Sequence, residues 1–168
     1  MRALKKASDR VLATACVALF AILIVTVTWQ VFTRQVLNEP SSWSEELAKY
    51  VFVWLGMFGA ALVFSERGHI AVDVVARKLP EPIQRVVAVG VQLIVLVFAG
   101  LTLVWGGLRL TAVGWGQSLT ALPGHLGLVY LVMPITGVII AYYALYHVAS
   151  ILRRDEVAVE TDHTAEEV

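Results

Sequence analysis

The sequence predicts an all-α integral membrane protein: four transmembrane helices, with a short interfacial amphipathic helix between the second and third. Three observations carry this. Apolar runs at 11–33, 47–64, 86–108 and 126–151 fill most of the 168 residues. Their centres hold no Asp, Glu, Lys, Arg or His. The chain is 58% hydrophobic, where soluble domains hold about 45–50%. A bilayer core needs about 20 apolar residues per helix. Each run is therefore long enough to cross, the second only just.

The first run follows Arg2, Lys5, Lys6 and Arg10, which could serve a signal peptide. At 23 residues it exceeds the ~7–15 of a cleavable signal, so it is read as a retained helix. Cys16, the single cysteine, forms no internal disulfide and is read as a small packing residue.

The first connection contains Asn38-Glu-Pro40, a turn, because the residue before proline avoids the helical region. Ser42-Trp-Ser-Glu45 fits a capping box, which starts the second helix near Trp43. Glu45 stands four residues before Lys49, the favourable order for a helical ion pair. Gly56-x-x-x-Ala60, with Gly59 between, makes a small-residue face of the kind that lets membrane helices approach. Gly137-x-x-x-Ala141 does the same in the fourth run. Such a face packs either within the chain or on another protein.

Between runs two and three, the segment from Ser65 to Pro80 is too short and too charged to span. At about 100° per residue, Asp73 and Arg77 share one face and Ala71, Val75 and Leu79 the other. A helix over 69–79, lying in the interface, fits this pattern. Pro82 suits the first turn of the third span. The 109–125 connection is rich in glycine and polar residues, and Pro134 is expected to kink the fourth span. The membrane domain is expected over 1–152. The tail over 153–168 carries six acids from Asp155 onward and is expected to be disordered.

Ten Lys and Arg fall on one side of this topology and three, Arg34, Lys49 and Arg109, on the other. The positive-inside rule puts the ten in the cytoplasm. Both termini are then inside, and the 34–46 and 109–125 connections outside. Trp29, Trp43, Trp105 and Trp115 gather at the outer boundary, and Tyr142, Tyr143 and Tyr146 towards the inner one, as in interfacial belts.

Zero net charge argues against nucleic acid as a partner. No nucleotide loop, metal spacing or nucleophile arrangement is present, so neither enzyme activity nor a cofactor is expected. A haem-binding membrane anchor of a redox complex would need two facing histidines. Of His69, His125, His147 and His163, only His147 lies on a span. A small four-span exporter would carry an acid within a span, whereas Glu45 and Glu46 stand at the boundary.

The stretch from Arg34 to Pro80 resembles the small membrane subunit (Q subunit) of tripartite ATP-independent periplasmic transporters. The resemblance rests on Arg34, then Asn38-x-Pro40, then Trp43-x-Glu45-Glu46. Trp54 and Gly59-Ala60 follow, then His69-Ile70-x-Val72-Asp73 and Leu79-Pro80. Weaker echoes lie at Trp105, Gly106, Gln117-Ser118, Pro123, Tyr130 and Pro134. Ser44 departs from the alanine common in the family.

The resemblance implies a subunit of the bacterial inner membrane that holds no substrate. It would brace a large, twelve-span, elevator-type subunit that takes up organic anions, usually carboxylates, with sodium. A periplasmic solute-binding protein would deliver the solute. Arg34, Glu45 and Glu46 are then candidates for pairing with the large subunit or touching the binding protein. The other reading is an internal cluster with Lys49. Trp43 is read as a membrane anchor and Trp54 as a packing residue against a partner helix. Gly56, Gly59 and Ala60 form the candidate interface. His69 and Asp73 are read as capping the interfacial helix, with Arg77 on its polar face.

Overall fold

The computed structural model describes residues 2–65 and 80–152. The expected interfacial helix, with His69, Asp73 and Arg77, and the acidic tail lie outside the described residues. Four spans are long and apolar enough to cross a bilayer: Lys5–Gln35, Ser42–Ser65, Ile83–Gly114 and Leu126–Ile151. Each encloses one of the four apolar runs. The described residues are thus all-α, with four membrane spans.

Span one is α1 (Arg2–Gln35) and span two is α2 (Ser42–Ser65). The turn between them closes on Asn38, whose φ of 53° is a conformation that asparagine tolerates better than most residues. The expected capping box is not made. α2 starts at Ser42, one residue earlier than predicted, so the box residues lie inside the helix. The hydroxyl of Ser44 donates to the Ser41 carbonyl at 2.9 Å, and Glu45 turns to Lys49 instead.

Span three is one unbroken rod. α3 (Glu81–Phe98) passes into a π-helical stretch (Ala99–Gly106) and then into α4 (Gly107–Gly114). It outruns the apolar run because residues 109–113 contain no helix breaker, and the Arg109 guanidinium stacks 4.1 Å from the Trp105 ring centroid. Pro82 falls in the first turn, as expected. Span four is divided at Leu131 into α5 (Leu126–Tyr130) and α6 (Val132–Leu152). Pro134 supplies the reason. It has no N–H for the Tyr130 carbonyl, and its ring crowds that turn.

The spans stand in the order one, two, four, three. α1 lies beside α2, α2 beside α6, and α6 beside α3 and the π-helical stretch. Among the described residues, no Cα of α1 or α2 comes within 8 Å of one in α3, the π-helical stretch or α4. In its most apolar stretch, span four is 44% buried, against 11% for each of the others. The core joins Leu12, Ala61, Ala99, Ile140 and Tyr143, one or more from each span.

Glycines weld spans three and four. A Cβ on Gly137 would meet Leu103 Cβ at 2.7 Å and Val104 Cγ2 at 2.9 Å. One on Gly107 would meet Pro134 Cδ at 2.8 Å, and one on Gly114 would meet the Gly127 nitrogen at 2.8 Å. Bare backbone here permits the close approach on which helix association in lipid depends. The small-residue face of span four is therefore used inside the chain.

Candidate functional site

Three features stand out: a carboxylate cluster at each end of the spans and an open face on span two. The end carrying residues 36–41 and 115–125 is called the loop end. The other is the terminal end.

At the loop end, the 115–125 connection forms a small antiparallel turn. Ser118 pairs with His125, Leu126 N–H donates to the Gln117 carbonyl at 2.8 Å, and Leu119 N–H to that of Gly124 at 3.0 Å. Gly124 sits at φ 156°, which suits a residue with no side chain. Trp115 stacks on His125, ring centroids 6.3 Å apart.

Glu46 holds this turn from span two. Its Oε1 accepts from the Thr120 N–H at 2.9 Å and from the Tyr50 hydroxyl at 2.9 Å. Its Oε2 accepts from the N–H groups of Ala121 at 2.6 Å and Leu122 at 2.9 Å. These amides would otherwise need water, since the turn offers them no carbonyl. Hydrogen bonds to an ionised acceptor are among the stronger ones. Glu46 thus belongs to an internal brace, one that reaches a turn more than seventy residues away rather than the neighbouring Lys49.

Glu45 points elsewhere. It pairs with Lys49 at 2.8 Å on the exposed surface, as its spacing predicted. Arg34 forms no ion pair among the described residues. Trp43 is 46% exposed and shares a crevice of about 470 Å³ with Trp29 and Glu39. Trp54 is half-buried and packs edge-on against Phe58, centroids 5.6 Å apart.

Asp9 gathers the terminal end, and sequence reasoning missed it. Its Oδ1 accepts from the Ser65 hydroxyl and from the Tyr143 hydroxyl at 2.7 Å. Lys5 Nζ stands 3.6 Å from Oδ2 and 5.9 Å from the Tyr146 ring centroid. One carboxylate therefore ties α1, α2 and α6. Tyr143, expected in an interfacial belt, is only 1% exposed, because Asp9 gives its hydroxyl a partner inside. A signal existed: Asp9 is the only acid before Glu39.

Among the described residues, nothing packs against the face of Gly56, Gly59 and Ala60. A Cβ built on Gly56 or Gly59 has open space around it, and Ala60 is exposed. The bulky neighbours Phe52, Val53 and Val63 are 64%, 44% and 56% exposed. Such a face has its backbone ready for another helix. No group of three or more metal-binding side chains occurs among the described residues.

The DctQ component of tripartite ATP-independent periplasmic (TRAP) transporters matches residues 23–154. The chain belongs to that family. It is similar to the sialic acid TRAP transporter small permease protein SiaQ of Vibrio cholerae, 33% identical over 106 residues, covering 63% of this chain and 61% of SiaQ. It is also similar to the sialic acid TRAP transporter permease protein SiaT of Haemophilus influenzae, 36% identical over 97 residues, 58% of this chain and 15% of SiaT. The isethionate TRAP transporter permease protein DctMQ of Oleidesulfovibrio alaskensis is 27% identical over 139 residues, 78% of this chain and 22% of DctMQ. The match thus spans about three-fifths of SiaQ and a minor part of the two longer permeases. This is a family of transporter permease subunits rather than enzymes. As a DctQ component, the chain is a multi-pass membrane subunit of a bacterial transporter.

Proposed function

We propose that this chain is the stationary bracing subunit of a TRAP transporter, attached to a large twelve-span membrane subunit. The observation that carries the reading is the face of span two, Gly56, Gly59 and Ala60, unpartnered among the described residues, in a layer whose first three spans are each only 11% buried. A single layer of helices with one side open suits a frame against which another body stands. Helices in lipid associate through close packing of such small residues. The spans bear no ionisable group at their centres, so the chain has no ion or solute relay of its own.

The finer parts follow from the same reading. The complex takes up organic anions, coupled to sodium, from a periplasmic solute-binding protein. The relatives' names include sialic acid, a carboxylate, and isethionate, a sulfonate, which favours the broad anion class over carboxylates alone. Both termini face the cytoplasm of the inner membrane, as the basic residues indicate. Glu45, Lys49, Arg34 and Trp43 then lie at the periplasmic boundary, where the binding protein arrives.

The test is co-purification. The subunit and its large partner, expressed together, should purify as one complex. Gly59→Leu should release the partner while leaving the subunit inserted. Reconstituted alone, the small subunit should give no sodium-dependent anion uptake, and the complex with its binding protein should. A complex that survives Gly59→Leu with full yield would turn this face to lipid and remove the main support.

A further inference from the structure

Spans one and four approach each other without packing backbone to backbone. Among the described residues, no Cα of α1 comes within 8 Å of one in α6. An apolar groove of about 530 Å³ runs between them, walled by Ala7 and Val11 on one side and Val138 and Tyr142 on the other. In water, such a groove would close by the hydrophobic effect. In a bilayer that force is absent, because lipid tails are as apolar as the groove itself. Spacing between the helices then depends on direct polar bonds and close packing.

Asp9 and Tyr143 supply such a bond at the edge of this groove. Both Tyr143 and Ser65 are 1% exposed, so their hydroxyls sit in a fixed place. A carboxylate at the edge of a span is costly unless its oxygens are bonded. Here two hydroxyls and the Lys5 ammonium serve it.

We infer that Asp9 is a positioning residue: by accepting hydrogen bonds from Ser65 and Tyr143 it sets the spacing between spans one and four, and so the shape of the layer offered to the large subunit. The inference rests on the bracing role proposed above. The hydroxyl bonds determine the spacing, and the pairing with Lys5 is secondary. An amide at this position therefore keeps the spacing, since its oxygen still accepts from both hydroxyls.

The test uses the full chain co-expressed with its large subunit, in a Cys16→Ala background. Val11→Cys and Val138→Cys place one thiol on each wall of the groove, and a short bismaleimide links them. Linked peptides are quantified by mass spectrometry. Asp9→Leu should lower the cross-link yield several-fold, Asp9→Asn should hold it near the starting value, and uptake by the complex should follow the same order. The Ser65→Ala and Tyr143→Phe double variant should behave as Asp9→Leu does, and decides the matter if Asp9→Leu fails to accumulate. An unchanged cross-link in the double variant would overturn the inference. So would a cross-link lost in Asp9→Asn, or uptake that stays at its original rate while the cross-link falls. Failure of the bracing role would look different: the unmodified subunit would not co-purify with the large one, while its own cross-link remained.

Discussion

Glu46 and Asp9 do related work at opposite ends of the spans by different means. Glu46 accepts mainly from backbone amides of one turn, so it fixes a loop to a helix. Asp9 accepts from side-chain hydroxyls on two other helices, so it fixes helices to each other. The first bond set is local to a connection that water can reach. The second lies where three spans converge on a buried tyrosine. Loss of Glu46 should therefore loosen a loop, and loss of Asp9 should loosen the fold.

The largest effect is expected at Asp9. Asp9→Leu strips two buried hydroxyls of their acceptor, and should lower unfolding stability in detergent by about 1–3 kcal/mol, the usual penalty for buried polar groups left unpaired. Denaturant titration followed by circular dichroism measures it. A loss no larger than that of an exposed surface change would erase the contrast between the two ends. Tyr143→Phe removes one of the two hydroxyl donors, so its cost should be smaller, about 0.6 kcal/mol, the average found for hydrogen bonds between membrane helices.

Glu46→Gln should act on the loop alone. An amide cannot accept on both sides, so its NH2 group would face N–H donors. Hydrogen exchange at residues 120–122 should accelerate, as expected when a local opening becomes easier, with global unfolding nearly unchanged. A drop in global stability equal to that of Asp9→Leu would mean that the turn is part of the core. Glu45→Gln should do least. It breaks an exposed pair with Lys49, of a kind that contributes little, and should leave both exchange and melting temperature as they were.

Much of the fold was legible because lipid imposes a simple rule on composition. Four apolar runs with uncharged centres predict four spans, and each is found. Boundaries were less legible. Apolar runs mark what lies in hydrocarbon, while helices continue into the interface, as span three does to Gly114. Small-residue spacing identified two faces, Gly56 to Ala60 and Gly137 to Ala141, but gave no reason to tell them apart. Only the placement of Leu103 and Val104 against Gly137, and of no described residue against Gly59, separates them.

The carboxylates divide in the same way. The Glu45–Lys49 pair is four residues apart on one helix, and helical geometry alone implies it. Glu46 was noticed beside it, but its amide partners lie more than seventy residues along the chain. Asp9 has partners 56 and 134 residues away. Nothing in local spacing points across such distances, because they depend on the order in which the spans stand.

That order bears on how the chain is made. The ribosome delivers span three before span four, yet span four stands between span three and the first hairpin. Among the described residues, the first hairpin and the third span therefore have no close backbone contact until span four arrives. The last helix to emerge is the wedge that completes the layer. It brings Tyr143 to Asp9, which has waited since the first turns of the chain were made, and Gly137 to Leu103. Assembly of this subunit ends at its centre, and a chain stopped before residue 126 would lack the helix that stands between its first hairpin and its third span.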